Sequence, residues 1–331
     1  MRAFSFLGLV TALVLTVFAA GELRAQGMGG GDPGRRGYTY GLSPEEIAPG
    51  VYVFWGAQEP MTPENGANIV NTGFIVGDES VLAIDTGPTR LYGEEMLATI
   101  AKVTDKPVRM AVVTHHHFDH AFGMSVFKKA NIPTMMHFGA RPLLLRDGSG
   151  VLQFMEILVG ANWVSRIEVD RPTRVTNRVE TFDLGNRKVV VTPFENGHTP
   201  GDLVIYDEKT KTLFAGDLAF VGRTPTIPHA DIPTWLDQID IIEAMPWDRL
   251  VPGHGPLVTD RAQLTPMADY LRYLDDYVKR AVANGETLAD SLDTPPPERF
   301  RDLAEIGVEY QRALLKLFRD VERQELDTTV R

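Results

Sequence analysis

Four histidines and one aspartate lie within six consecutive residues of the chain: His115, His116, His117, Asp119 and His120. The preceding apolar run, Met110–Thr114, predicts a buried strand of a parallel sheet. The histidines would then lie beyond the carboxyl end of that strand, where open α/β sheets bind their ligands. His115 and His117 would project to the same side of an extended segment. The stretch therefore predicts a site that addresses two metal ions, best suited to zinc, with iron and manganese as alternatives.

Three further potential ligands stand singly, each after an apolar strand and beside or close to a glycine: His198, Asp217 and His254. Glycine at such a position lets the backbone turn with positive φ and approach a ligand closely. A single loop histidine more often only forms hydrogen bonds, but three such positions beside the histidine-rich stretch are hard to explain by packing. Asp85 ends another apolar strand, Ser80–Ile84, and opens a predicted helix to about Val103. The strand-helix-strand order is typical of a parallel βαβ unit.

Taken in chain order, these residues resemble the five motifs of the metallo-β-lactamase superfamily: Asp85, His115-x-His117-x-Asp119-His120, His198, Asp217 and His254. The resemblance covers about residues 51–257. It implies an α/β fold, a four-layer αβ/βα sandwich with a dinuclear metal site in the cleft between two sheets. Helices would follow at the C-terminus.

The resemblance also implies a role for each residue. The first metal would be bound by His115, His117 and His198, the second by Asp119, His120 and His254, with Asp217 bridging both. Asp85 would tie the metal-binding loops together without touching a metal. The expected cofactor is zinc, two ions per chain, with Fe or Mn as alternatives. Asp119 would also be catalytic, orienting a metal-bridging hydroxide and accepting its proton.

The reaction expected from such a site is hydrolysis of an ester, thioester, lactone or lactam bond of a small molecule. An acidic bridge at Asp217 resembles the hydroxyacylglutathione hydrolase and lactonase branches of the superfamily. Hydrolysis of β-lactam antibiotics is an alternative. The best-known antibiotic-hydrolysing subclass, however, uses a cysteine in the second metal site, and this chain has none. The subclass that shares the Asp-His-His second site lacks the bridging acid.

Two other interpretations use the same residues. A mononuclear iron dioxygenase acting on persulfides shares much of the motif set. A non-catalytic periplasmic accessory protein would keep the fold and bind metal, although loss of ligands would then be expected. A narrower resemblance lies in Asn65–Phe74, in Ile84–Pro88 and in the N-terminal segment. It is to the exported quinoprotein relay system zinc metallohydrolases and the similar SoxH-like proteins.

Composition limits the possible partners. With 331 residues, 44% of them hydrophobic, the chain is long enough to bury a large core. Its formal net charge of -11 at pH 7 disfavours nucleic acid and anionic membrane surfaces, which are bound by clustered lysine and arginine. The lack of cysteine excludes disulfides, thiolate metal ligands and cysteine nucleophiles. A small-molecule substrate is the expected partner, and the sequence indicates no particular oligomeric state.

Four segments are predicted along the chain: a signal peptide at 1–25, a flexible linker at 26–48, the metallo-β-lactamase-like domain at 49–260 and a C-terminal helical extension at 261–331. Arg2 precedes the apolar run Phe4–Ala20, and small and polar residues follow it, which is the pattern of a secretory signal. Cleavage would give an exported, periplasmic protein with no stable membrane association. An uncleaved membrane anchor is the alternative, because the run approaches the length that spans a bilayer. Glycine-rich composition predicts the linker.

Several other residues lie near these motifs. His116, between two ligands, is expected to point away from them and to pack or to support the site. His137, at a strand end, is expected to be structural. His229 and Asp231 lie in a proline-rich loop that either walls the pocket or is solvated. The sequence pattern of the apolar segment 141–169 does not define individual elements, and helices that cover the site are expected there.

Overall fold

The computed structural model describes residues 37–329, with side chains as far as Arg323. The predicted signal peptide, 1–25, lies outside the described residues, and so does the first part of the predicted linker, 26–36. No helix within the described range combines the length and the apolar character that a bilayer crossing requires. The strands of this range form two sheets, of seven and five strands.

The first sheet has its strands in chain order, so each strand pairs with its neighbours in sequence. They are β1 (Glu45–Ala48), β2 (Val51–Phe54), β3 (Thr72–Val76), β4 (Val81–Ile84), β5 (Val108–Val112), β6 (Thr134–His137) and β7 (Arg174–Thr176). Strands β1 to β4 are antiparallel, and β4 to β7 are parallel. Ile84 of β4 pairs with Val112 of β5, so both strands end at the same edge of the sheet.

The second sheet has the order β12-β11-β10-β9-β8. Its strands are β8 (Glu180–Asp183), β9 (Lys188–Phe194), β10 (Asp202–Asp207), β11 (Thr212–Phe220) and β12 (Arg249–His254). Strands β8 to β11 are antiparallel, and β12 is parallel to β11. Phe220 pairs with His254, so β11 and β12 also end together.

Helices cover the outer faces of both sheets. They are α1 (Arg90–Val103), α2 (Phe118–Ala121), α3 (Met124–Lys129), α4 (Ala140–Val159), α5 (Ala161–Val164), α6 (Ile232–Ala244), α7 (Thr265–Ala283), α8 (Leu288–Leu292) and α9 (Ile306–Thr329). The Thr89 side chain accepts a hydrogen bond from the Tyr92 amide and so caps α1. Asp231 caps α6 in the same way, through the Thr234 amide. These caps fix the points where loops become helices.

Apolar clusters hold the resulting four layers together. Between the sheets, residues such as Ile84 and Val112 of the first sheet belong to one buried cluster with Phe214 of the second. On the outer face of the first sheet, the buried ring of Phe74 joins a cluster with side chains of α1 and α3. On the outer face of the second sheet, the core includes buried side chains of α6, α7 and α9, such as Leu271. This arrangement is the predicted αβ/βα sandwich with C-terminal helices.

The described residues include part of the range predicted as a linker, 26–48. Strand β1 pairs with β2 there, with Glu45 opposite Val53. The Tyr40 ring lies 4.6 Å from the Trp163 ring, centroid to centroid, and its hydroxyl donates to the Gly66 carbonyl at 2.8 Å. Residues 45–48, which fall within the predicted linker, therefore form a strand of the first sheet. The glycine-rich composition concealed two tyrosines, Tyr38 and Tyr40, and a short strand that pack against the domain.

Candidate metal centre

The predicted ligands lie at or near the ends of strands in both sheets, and these ends meet at a single cluster. Strand β5 leads into the loop and short helix that hold residues 115–120. From the second sheet, His198 lies in the turn before β10, Asp217 lies within β11, and His254 ends β12. A Cβ atom at Gly253 would lie 1.9 Å from Oδ1 of Asp217, which explains the glycine beside His254.

Asp217 lies at the centre of the cluster, and its two carboxylate oxygens face different histidines. Oδ2 is 3.6 Å from Nε2 of His115 and 3.4 Å from Nε2 of His198. Oδ1 is 3.0 Å from Nε2 of His120 and 3.3 Å from Nε2 of His254. The Asp217 side chain is 2% exposed. One carboxylate thus connects two groups of imidazoles, as a bridging ligand between two ions would.

The remaining contacts divide the cluster along the predicted line. The ligand atoms of His115, His117, His198 and Asp217 all lie within 4.8 Å of one another, as do those of Asp119, His120 and His254. In the first group, Nδ1 of His117 is 3.1 Å from Nε2 of His198. In the second group, Oδ2 of Asp119 is 3.4 Å from Nε2 of His254. All seven residues predicted as ligands therefore converge.

Burial and mutual charge set the protonation of these groups. Burial, and then the neighbouring His120, lower the pKa of His115 well below its ordinary value. Burial would raise the pKa of Asp217, but His254, His120 and His115 hold it well below its usual range. Burial lowers the pKa of His254, but Asp217 and Asp119 together outweigh it and raise the value to about 9. Neutral His115 and ionised Asp217 are in the forms that bind metal, whereas protonated His254 must release its proton first.

The donor set fits transition-metal ions. Nε2 of His115 is buried and has no hydrogen-bond partner among the described residues, and Nε2 of His120 and Oδ1 of Asp217, 3.0 Å apart, are not aligned for a hydrogen bond. Burying such atoms unpaired is costly, so a cation that binds them would remove the penalty. Imidazole nitrogens with carboxylate oxygens and no thiolate suit zinc, and they also accept iron or manganese.

Asp85 lies beside the cluster and forms hydrogen bonds to the histidine-rich loop. It adopts φ +59, and its carboxylate accepts hydrogen bonds from the Thr114 amide at 2.7 Å and from the Thr114 hydroxyl at 3.0 Å. Its Oδ2 is 2.8 Å from Nδ1 of His120. Asp85 therefore directs Nε2 of His120 toward Asp217 and fixes the start of the histidine-rich loop.

Replacing Asp85 by alanine is expected to weaken metal binding about 10- to 100-fold, because His120 would lose the partner that orients its ring. The loss should fall on the ion that His120 contacts. Competition with a chromophoric chelator measures it. Asp183→Ala, at an exposed carboxylate, serves as the control. Unchanged affinity in a folded Asp85→Ala protein would contradict this role.

The sequence did not single out Asn71, which connects the two sheets at the site. Its side-chain amide donates to the carbonyls of Pro252 at 2.9 Å and Gly255 at 2.8 Å, on either side of His254. The backbone carbonyl of Ile69 lies 2.6 Å from Nδ1 of His254, so this ring nitrogen donates to it. A buried asparagine in the Asn65–Phe74 stretch was the available signal, but nothing in its spacing indicated a contact.

Of the other residues considered near the motifs, two are buried, one borders the cluster and one caps a helix. His116 is 4% exposed, and its ring nitrogens have no hydrogen-bond partner among the residues described. His137 is 2% exposed and accepts a hydrogen bond from the Gly139 amide, so it packs as expected. His229 reaches the site, where its Nδ1 lies 3.0 Å from Nε2 of His117. Asp231 instead caps a helix. The proline-rich loop therefore borders the cluster through His229.

Comparison with known proteins agrees with this geometry. Residues 65–254, more than half of the chain, match the family model described as the metallo-beta-lactamase superfamily. The chain belongs to the metallo-beta-lactamase superfamily. Members of this superfamily bind metal ions, and the cluster around Asp217 is the candidate site for them here.

Individual relatives of the superfamily differ in chemistry. An acyl-coenzyme A thioesterase, MBLAC2 of Bos taurus, is 26% identical over 223 residues, which cover 61% of this chain and 77% of the relative. A linear primary-alkylsulfatase of Pseudomonas sp. is 20% identical over 264 residues, covering 67% of this chain but only 49% of the alkylsulfatase. The structure of a metallo-beta-lactamase from Pontibacter korlensis aligns with a TM-score of 0.57 at 21% identity, covering 70% of this chain and 99% of that one. This last likeness shows the fold. The protein is a hydrolase of this superfamily.

Proposed function

We propose that the protein is a dinuclear zinc hydrolase that cleaves an ester, thioester, lactone or lactam bond of a small molecule. The observation that supports this most strongly is the position of Asp217. Each of its carboxylate oxygens faces a separate pair of histidines. A protein that kept the fold only for binding a partner would not need a buried carboxylate with this arrangement.

The proposed ligands follow the two groups of the cluster. His115, His117 and His198 would hold one ion, Asp119, His120 and His254 the other, and Asp217 would contact both. When bound, the metals would lower the pKa of water, polarise the substrate and stabilise the charge on the leaving group. Asp119 is buried, and its Oδ2 is occupied by His254 at 3.4 Å. We assign its other oxygen, Oδ1, to accept the proton of the attacking water.

Aromatic rings restrict the space around these groups. The Phe220 ring stacks on His254, with centroids 4.9 Å apart, and the Trp235 ring meets His198 edge-on at 4.8 Å. Both rings are buried. They exclude water behind the histidines and hold the imidazoles in one orientation, which favours a single reaction geometry.

The relatives favour thioesters and esters as the first substrates to test. The thioesterase relative is named for acyl-coenzyme A, and the alkylsulfatase for a sulfate ester. Hydrolysis of β-lactams remains a second proposal, supported so far by likeness of fold to a metallo-beta-lactamase. Within the superfamily, we propose that the protein is exported and belongs with the quinoprotein relay system zinc metallohydrolases and the SoxH-like proteins.

Metal removal tests the proposal directly. Purified protein is expected to hold about two zinc ions per chain and to hydrolyse at least one thioester, ester, lactone or chromogenic lactam substrate. Dialysis against a strong chelator should abolish turnover and lower the melting temperature, because an ion that binds only the folded state stabilises it. Zinc should restore both quantities.

Metal analysis also separates the alternatives. If the protein holds one iron per chain and consumes persulfide together with oxygen, it is a dioxygenase rather than a hydrolase. Two tightly bound ions without turnover on any substrate would favour the accessory protein. Cell fractionation, with mass analysis of the mature N-terminus, would test export and cleavage after residue 25.

A further inference from the structure

The two ring nitrogens of His117 face opposite ways. Nδ1 lies 3.1 Å from Nε2 of His198, on the side of the proposed first ion. Nε2 lies 3.0 Å from Nδ1 of His229, outside the ligand cluster. A neutral imidazole that offers one nitrogen to a metal carries its proton on the other. The Nε2–H group of His117 is therefore available to donate to His229.

His229 is held in turn by a carboxylate. Its Nε2 is 3.5 Å from Oδ2 of Asp147, a residue of helix α4. Asp147 accepts hydrogen bonds from the neighbouring Arg146, at 2.6 Å from Nε and 2.8 Å from Nη2. The side chains of His229 and Asp147 are 24% and 29% exposed. The tautomer of His229 with its proton on Nε2 faces Asp147 and leaves Nδ1 to accept a hydrogen bond.

A consistent chain of donors and acceptors follows from these contacts. Nε2–H of His117 donates to Nδ1 of His229, and Nε2–H of His229 points to Asp147. Two other proposed ligands are backed by oxygen acceptors: His120 by Asp85, and His254 by the Ile69 carbonyl. His117 is backed by a second imidazole, which comes from a different segment of the chain and which helix α4 orients.

We propose that His229, oriented by Asp147, is a positioning residue that fixes the ring of His117 and so strengthens binding of the first metal ion. This inference rests on the proposed metal site and assigns a role to residues beyond its ligands. It also explains how α4 and the loop before α6 contribute to the site. The strength with which the first ion is held depends on whether these two segments meet.

A different use of the same residues must be distinguished. His116, His117 and His229 each offer a nitrogen within 4.8 Å of the others, and both nitrogens of the buried His116 lack a hydrogen-bond partner among the described residues. This geometry could hold an additional ion. His117 would then bind metal through both nitrogens, and His229 would be a ligand rather than a hydrogen-bond acceptor.

Two substitutions at His229 distinguish the role of its hydrogen-bond acceptor from the role of its side-chain volume. Asparagine places its Oδ1 on Cγ, where histidine has Nδ1, and so keeps an acceptor, whereas leucine removes it. His229→Leu is expected to weaken binding of the first zinc ion about 10- to 100-fold and to leave the second unchanged. His229→Asn should restore affinity close to that of the wild type. Asp147→Ala should weaken the same ion by a smaller factor, and His116→Asn should bind two ions normally.

Zinc titration against a chromophoric chelator, starting from metal-free protein, measures these affinities. Cobalt(II) absorption provides an independent readout, since its intensity and energy report the geometry of the first site. The proposal is contradicted if His229→Leu binds both ions as the wild type does. It is also contradicted if the wild type binds three ions while His229→Leu and His116→Asn each bind two.

These outcomes do not depend on turnover. A wild-type protein that binds two ions but hydrolyses no substrate would remove the proposed hydrolase function, and the affinity comparison would still decide the role of His229. If His229→Leu proves unstable, Asp147→Ala tests the same contact from the more exposed side. An unchanged first-ion affinity in Asp147→Ala would then contradict the proposal.

Discussion

Asp217→Asn is expected to lose one of the two metal ions and to reduce kcat/KM by at least about 100-fold. Residues that only support metal ligands already cost about 10- to 100-fold when they are removed, and Asp217 is proposed to contact both ions. Asparagine has nearly the same shape but keeps one acceptor oxygen and no charge. The four histidines within 3.6 Å would then face an amide instead of a carboxylate. Metal analysis and steady-state kinetics on the active substrate measure both effects.

A matched substitution controls for the loss of one charge nearby. Asp231 caps α6 by accepting a hydrogen bond from the Thr234 amide, and asparagine is an equally good cap. Asp231→Asn should therefore keep both ions and full activity. An Asp217→Asn protein with two ions and normal kcat/KM would refute a bridging role for this carboxylate.

Arg187→Met is expected to destabilise the protein by about 3–5 kcal/mol, because it leaves the carboxylate of Asp207 buried without its counter-ion. The pair is bidentate, with Nε to Oδ1 at 2.9 Å and Nη2 to Oδ2 at 2.7 Å, and the side chains are 4% and 0% exposed. Nη1 also donates to the carbonyls of Pro49 at 3.0 Å and Val76 at 2.8 Å. One guanidinium thus ties the second sheet to the first. Urea unfolding measures the loss.

An exposed ion pair provides the control for Arg187. Lys129 and Glu168 are both 58% exposed, so Lys129→Met should change the free energy of unfolding by less than about 1 kcal/mol. A double variant, Arg187→Met with Asp207→Leu, should recover part of the stability, because an apolar pair no longer buries an unpaired charge. Equal stability of Arg187→Met and Lys129→Met would show that the buried pair contributes no more than a surface one.

Much of the site could be predicted from the sequence because its ligands follow strands. Apolar runs such as Val108–Val112 mark where a strand ends, and the residue after a strand end lies at a defined edge of the sheet. A glycine beside a potential ligand, as at Gly253, further indicates close approach. The ligand positions are thus local features, and the superfamily resemblance assigns them to one cleft.

Contacts between distant segments could not be predicted in this way. Asn71 forms hydrogen bonds to the loop around His254, and Asp147 orients His229. No sequence pattern around either residue predicts which residue it contacts. Helix α4 was hard to identify because apolar residues occur on most of its sides and two glycines interrupt it. Tyr40 was hidden in a segment whose composition is typical of linkers.

The distribution of the ligands over both sheets has a consequence for the whole chain. The ion held by His120 and His254 would cross-link segments far apart in sequence, in a protein that cannot form a disulfide. Such a link restricts the unfolded chain most when the closed loop is long, and its binding free energy is also free energy of folding. The supply of metal would then determine the stability of the folded chain, as disulfide formation does in proteins that contain paired cysteines.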